Sequence, residues 1–129
     1  MIKGSGILIL ELYKGSPVLT LFGQNGANYS DLGGKLGSNE SPEQGAYREA
    51  REESANLINI NPEEIAAFSV PITFNGYICY IIYLEGVQFS DYAHNVTHIQ
   101  TYCDHKKHRF WFETNSMARI PINNMITAM

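Results

Sequence analysis

The chain has 129 residues and a net charge of −4, with a sequence pI near 5.5. That length suits one domain with a real core, and the acidic balance argues against a general nucleic-acid binder, which would carry a basic excess. No apolar run approaches the length of a membrane span, the N-terminus lacks a signal-peptide pattern, and the two cysteines, Cys79 and Cys103, make no disulfide framework. The expectation is a single domain over residues 1–129, reduced, intracellular and cytoplasmic, with no repeat, linker or low-complexity tract.

In chain order, the apolar run Ile7 to Leu12 precedes the turn-forming Lys14-Gly15-Ser16 and the stretch Pro17 to Phe22, which together read as a hairpin. Gly23 to Ser30, rich in Gly and Asn, reads as a loop leading to the Gly33-Gly34 turn. Ser41-Pro42-Glu43-Gln44 is a capping box with Pro at the first helical position. At 100° per residue, Ala46, Tyr47, Ala50, Ser54 and Leu57 of that helix share one side, small enough to pack close against a sheet. Asn61-Pro62-Glu63-Glu64 reads as a turn. Phe68–Phe74 and Tyr77–Leu84 then flank Asn75-Gly76, a strong hairpin signal, and the second of these, apolar on both faces, belongs in the middle of a sheet. Tyr92, Val96, Ile99 and Cys103 recur at helical spacing within Ser90–Cys103. Arg109–Phe112 and Met117–Ile120 read as strands, and Pro121 opens a short final helix. Strands on both sides of the acidic helix, plus a later helix, predict an α/β fold with a mixed sheet between helices.

Glu49, Glu52 and Glu53 stand at i, i+3 and i+4, so a helix puts all three carboxylates on one face. Like charges so placed oppose the helix by roughly 0.2–0.5 kcal/mol per pair, which suggests a cation in front of them. Arg48 can reach Glu52 one turn on. The Asp31-Leu32-Gly33-Gly34-Lys35 loop can bring backbone carbonyls near. A site made of oxygen donors suits Mg²⁺ or Mn²⁺ better than zinc. The alternative is an ordinary acidic amphipathic helix.

Gly34, five residues, Glu40, seven residues, then Arg48-Glu49-Ala50-Arg51-Glu52-Glu53 resembles the box of the Nudix hydrolases, Gly-x5-Glu-x7-Arg-Glu-U-x-Glu-Glu-x-Gly-U, where U is apolar. Ala55 stands where that pattern has Gly, Asn56 where it has an apolar residue, and Asp31-Leu32 replaces the commoner Leu-Pro. The resemblance implies a Nudix-type α/β/α sandwich and Mg²⁺-dependent (or Mn²⁺-dependent) cleavage of a diphosphate linkage in a nucleoside diphosphate derivative. It further implies Glu52 and Glu53 as metal ligands with the Gly33 carbonyl, and Glu49 as ligand or general base. Glu40 supports the loop or a further metal, Arg48 orients the carboxylates, and Lys35 meets a phosphate. Glu113, in the loop before the last strand, resembles the acidic residue that completes the metal site or acts as base in many members; the alternative is a loop Glu in water. The family's closing helix usually runs several turns. Here about nine residues follow Ile120, so a short helix or a neighbouring subunit of a homodimer is expected to cover that face.

His94, His98, Cys103, His105 and His108 contain metal-like spacings but resemble no known finger, and a polar segment with a helix-borne His pair is the other reading. The basic run His105 to Arg109 could meet phosphate or be a solvated turn, and the aromatic run Phe110 to Phe112 could stack on a base or pack under a loop. The expected partner is a small phosphorylated or nucleotide substrate, with RNA only if capped RNA is that substrate, and no membrane. The rival readings are a non-catalytic Nudix-fold binding module, an interaction protein with a solvated acidic helix, or a hydrolase for capped RNA or diphosphoinositol polyphosphates.

Overall fold

A computed structural model describes residues 1–85, 87, 89–102 and 114–122, the side chains of residues 89 and 99–102 excepted. The first strands, β1 (Gly4–Tyr13) and β2 (Ser16–Gln24), form the expected hairpin, with Ile9 opposite Thr20 and Leu12 opposite Pro17. The stretch read as a loop is instead a second hairpin, because β3 (Ala27–Ser30) folds back on β2. Asn25 (φ 52°) and Gly26 (φ 76°) make its turn in the left-handed conformation that Asn-Gly favours. Next, β4 (Leu32–Lys35) pairs antiparallel with the first half of β1, Gly6 lying opposite Gly33. β1 therefore gives its N-terminal half to β4 and its C-terminal half to β2. That split brings the chain after Lys35 to the start of helix α1 (Pro42–Glu53).

The capping box forms as read: Ser41 Oγ accepts from the Gln44 N–H (3.1 Å), and Gln44 Oε1 accepts from the Ser41 N–H (2.9 Å). The same grammar recurs at Asn61 and Glu64, so the presumed turn opens a helix, α2 (Pro62–Phe68). Then β5 (Ser69–Phe74) and β6 (Tyr77–Tyr83) form the Asn75-Gly76 hairpin, and β6 pairs in parallel with β1, Ile7 beside Tyr80. Helix α3 (Phe89–Tyr102) and strand β7 (Ser116–Pro121), antiparallel to β2, complete the described elements. The strand Arg109–Phe112, and the final helix expected after Pro121, lie outside the described residues apart from position 122.

The sheet is mixed, with β6 inside it and β5 at its edge. One face carries the core: Ile7, Ile9, Phe22, Leu32, Tyr80 and Ile82 from strands meet Ala46 and Ala50 of α1, Ile65 of α2 and Tyr92 of α3. Tyr92 meets Phe22 edge to face at 5.2 Å between centroids. Strand alternation sends Leu8, Ile72, Phe74, Tyr77, Cys79 and Ile81 to the opposite face, where no described helix packs. Ile72 and Phe74 stay about half exposed there. At the end of the sheet away from α1, buried Glu11 accepts from Thr20 Oγ1, from the Val87 N–H (3.3 Å) and from Arg119 Nε (3.3 Å), and Arg119 Nη2 donates to the Val87 carbonyl. No described helix is long and apolar enough to cross a membrane.

Candidate active site

Helix α1 lies close to the β4 loop because small residues face it. A Cβ at Gly34 would come within 2.6 Å of Glu49 Oε1, so the carboxylate occupies the space where a side chain would stand. At Gly45, a Cβ would meet Leu36 at 2.3 Å, and Ser5 Oγ donates to the Pro42 carbonyl (2.7 Å). The acids of the helix and the backbone of the loop are thus brought against each other.

Arg48 organises what lies between. Its Nε and Nη2 grip the two oxygens of Glu40 at 2.9 and 3.0 Å, the fork-to-fork geometry that only a guanidinium offers. Nη1 donates to Glu49 Oε1 (2.9 Å) and lies 3.5 Å from Glu52 Oε2, while Nη2 also reaches the Lys35 carbonyl (3.0 Å). The i+4 contact read from the sequence is present, but it is the longest of the set. Glu40 also accepts from the Gly37 N–H (2.8 Å), tying the loop to the helix. Its carboxyl is held below the usual carboxylate range, chiefly by the Arg48 hydrogen bond. Arg48 is held more firmly protonated, first by Glu40.

Glu53 stands on the last turn of α1; its Oε1 is buried, and its backbone carbonyl accepts from Thr114 Oγ1, which ties the helix end to the segment before β7. There the helix stops through two residues in left-handed conformation, Ala55 (φ 53°) and Asn56 (φ 64°), the position where the Nudix pattern carries Gly. Among the described residues, no three acidic, His or Cys side chains converge as a closed metal site.

On the uncovered sheet face a cleft of about 640 Å³ has Asp31, Gly33, Tyr77 and Cys79 at one end and Leu8, Ile72, Phe74 and Ile81 as apolar walls. The Tyr77 hydroxyl donates to Asp31 Oδ2 (2.6 Å), and Cys79 Sγ lies 3.9 Å from the same oxygen. Burial raises the Asp31 pKa, with the Tyr77 hydrogen bond opposing it. Burial and then Asp31 raise that of Tyr77, with a smaller contribution from the charge of Glu53. Burial likewise pushes the Cys79 thiol up to about 11. A smaller cleft of about 320 Å³ continues past Asn75 and Tyr77 to Lys3, Gly34 and Lys35.

Similarity to solved structures extends over nearly the whole chain. A Caenorhabditis elegans Ap4A hydrolase in a binary complex superimposes with a TM-score of 0.57 at 15% identity, covering 98% of this chain and 85% of that one. A second crystal structure of C. elegans Ap4A hydrolase gives 0.56 at 15% identity, covering 98% and 86%. The NUDIX domain of Shewanella oneidensis NrtR, complexed with ADP ribose, gives 0.54 at 10% identity, covering 98% and 77%. The chain has the Nudix fold. No protein-family model and no curated protein sequence matches it.

Gly33 and Lys35 stand on β4, and Arg48, Glu49, Glu52 and Glu53 on the second half of α1, where Arg48 joins Glu40, Glu49, Glu52 and the Lys35 carbonyl. Glu113, Cys103, His105, His108, the basic run and the aromatic run lie outside the described residues. His94 and His98 share a face of α3 one turn apart. Sequence reasoning did not single out the Asp31–Tyr77 pair, whose members are 46 positions apart. The one signal for it was Asp31 itself, a carboxylate at a place where the Nudix pattern commonly has an apolar residue.

Proposed function

We propose that the chain is a divalent-metal-dependent hydrolase that cleaves a diphosphate linkage in a nucleoside diphosphate derivative. The observation that supports this most is the Arg48 clamp. One guanidinium holds Glu40 by both oxygens, touches Glu49 and Glu52, and binds the Lys35 carbonyl, so three carboxylates and the loop share one frame. An acidic face with no task would gain nothing from crowding like charges together.

The donors present fit Mg²⁺ or Mn²⁺: carboxylates and backbone carbonyls, hard oxygens throughout, with the Glu49 carboxylate seated against Gly34 where a Cβ would otherwise stand. Glu52, Glu53 and the Gly33 carbonyl would hold the cation. A bound divalent ion neutralises diphosphate oxygens and lowers the pKa of water. The protein's own part is positioning and proton transfer. Arg48 occupies Glu49 Oε1 and leaves Oε2 to hold the cation or take the proton of the attacking water. Glu40, fixed by Arg48 and the Gly37 N–H, keeps the loop in register with the helix. Lys35 is among the residues that line the smaller cleft, and its side chain would meet a phosphate. Glu113 would complete the metal set or serve as base. The apolar cleft beside Gly33 would take the nucleoside, which orients the diphosphate for in-line attack.

A second reading, a Nudix-fold module that binds a nucleotide without cleaving it, draws on the described carboxylates converging on Arg48 rather than on a common point. A hydrolysis panel separates the two. Nucleoside triphosphates, ADP-ribose, dinucleoside polyphosphates, diphosphoinositol polyphosphates and capped RNA are offered with Mg²⁺ to wild type and Glu53→Gln, and products are weighed. Cleavage of a nucleotide class by wild type alone supports the hydrolase. Retained activity in Glu53→Gln removes the residue assignment, and no cleavage by wild type favours the binding module.

A further inference from the structure

We infer that the smaller cleft is a second phosphate subsite, with Lys3 and Lys35 as its counter-charges, so that the substrate carries a phosphate group beyond the diphosphate that is cleaved. This rests on the diphosphate-hydrolase reading above and deepens it.

Six lysines and arginines stand among the described residues, and four of them are engaged within the protein. Arg48 is held by Glu40 and Glu49, and Arg119 pairs with Glu11 and lies over the Tyr13 ring. Arg51 lies over the Tyr47 ring at 5.1 Å, and Lys14 over the Tyr13 ring at 5.4 Å. Lys3 and Lys35 are the remaining two. Neither makes an ion pair or ring contact among the described residues, and both line the same cleft, of about 320 Å³.

Strand pairing brings them together from 32 positions apart in the chain. Gly4 lies opposite Lys35 in the β1–β4 ladder, and the Leu36 N–H donates to the Lys3 carbonyl (2.9 Å). The Lys3 N–H in turn donates to the Gly76 carbonyl (2.7 Å), which sets the Asn75-Gly76 turn along the other side. No carboxylate lines this cleft, although the chain as a whole carries a net charge of −4. A pocket with two cations and no acid is an anion site by its field.

Its position says which anion. Gly33 lines the large apolar cleft, Gly34 and Lys35 line the small one, and Asn75 and Tyr77 line both. Gly34 also abuts the Glu49 carboxylate on α1. A nucleoside in the large cleft therefore leads its phosphates past Gly33 and the carboxylates towards the lysines. The cation at the carboxylates neutralises the diphosphate that is cut; a further phosphate needs its own counter-charge. Lysine ammonium groups, compact point charges with three donors each, supply it, whereas a neutral sugar at that place would gain nothing from them. Nucleotides with three or more phosphates in a row are thus preferred to diphosphate-linked sugars. An exposed ammonium–anion pair contributes up to about fivefold in affinity, and the two lysines together about tenfold.

Calorimetric titration with Mg²⁺ tests this, using the α,β-methylene analogue of ADP and the bis-methylene analogue of ATP, whose P–C–P bridges resist hydrolysis. The proteins are wild type, Lys3→Met, Lys35→Met, Lys3→Arg and Lys14→Met, with circular dichroism as the fold control. Lys14→Met makes the same change of net charge on the β1–β2 turn, outside the cleft. Wild type is expected to bind the triphosphate analogue about tenfold more tightly than the diphosphate analogue. Lys3→Met and Lys35→Met each lose most of that preference, and Lys3→Arg and Lys14→Met keep it. Equal affinity for the two analogues, no binding of either, an unchanged preference in Lys3→Met, or an equal loss in Lys14→Met overturns the inference. If Lys3→Met fails to fold, Lys35→Met against Lys14→Met decides in the same way. A lysine-dependent preference without hydrolysis of any natural nucleotide would leave the subsite standing and remove the hydrolase reading; hydrolysis without the preference would do the reverse.

Discussion

Replacing Arg48 by Ala tests the clamp on which the site is built. The guanidinium makes two hydrogen bonds to Glu40, one to Glu49 and one to the Lys35 carbonyl, all between 2.9 and 3.0 Å. Buried charge-assisted bonds contribute about 1.5–3 kcal/mol and exposed ion pairs about 0.2–1. Arg48 lies between these limits: its side chain is 36% exposed and those of Glu40 and Glu49 are 16% and 13% exposed. Taking about 1 kcal/mol for each carboxylate and about half of that for the carbonyl predicts a loss of about 2–3 kcal/mol for Arg48→Ala. Arg48→Lys keeps the charge without the fork and should recover about half of it. Urea unfolding at neutral pH measures both. The pH dependence supplies a check of sign. Glu40 has a folded pKa below its unfolded one, so its contribution is present above about pH 4.3 and is lost as pH falls through the depressed folded value. The gap between wild type and Arg48→Ala should therefore narrow on acidification. A loss below about 0.5 kcal/mol at neutral pH, or a gap that widens in acid, would refute the reasoning.

Glu11→Ala takes away the carboxylate that Arg119 faces, leaving it the Val87 carbonyl and the Tyr13 ring, and should cost about 3 kcal/mol, whereas Glu11→Met with Arg119→Met together should cost less; comparable losses would mean that the pair itself matters little. Gly33→Ala should destabilise by about 1–3 kcal/mol in thermal melts, since its Cβ would collide with the Tyr77 hydroxyl and with backbone atoms of Ser5 and Gly6. Ala55→Gly relieves a left-handed conformation but uncovers core space, two effects of about 1 kcal/mol each, so the melting temperature should barely move. With Cys103 replaced by Ser, Cys79 should react with a thiol reagent at pH 8 on the order of a hundredfold more slowly than a free cysteine, because burial holds the thiol up to about 11. Rapid labelling would contradict the burial of Cys79.

Local grammar carried far in this sequence. Ser41 to Gln44 announced α1, Asn75-Gly76 announced the β5–β6 hairpin, and the period of Tyr92 and Val96 announced α3. Two local signals went unread although both were present: Asn25-Gly26, which turns a supposed loop into a hairpin, and the Asn61–Glu64 capping box, which turns a supposed turn into α2. The spacing from Gly34 to Glu53 located the site because a loop and the helix that follows it are close in sequence. Partners far apart in the chain left no such trace. Glu11 meets Arg119 across 108 positions and Asp31 meets Tyr77 across 46, contacts that only strand order creates. The rank of the Arg48 contacts was equally hidden, since Glu40 lies outside the helix and its loop geometry decides that it, not Glu52, takes the fork.

The most direct test of the account is hydrolysis in ¹⁸O-labelled water with Mg²⁺, followed by mass analysis of the products of a nucleoside diphosphate derivative. The account predicts one ¹⁸O on a single product phosphate in wild type, and no labelled product in Glu53→Gln or with the metal chelated. Label appearing without Mg²⁺, label outside phosphate, or equal product from Glu53→Gln would contradict it.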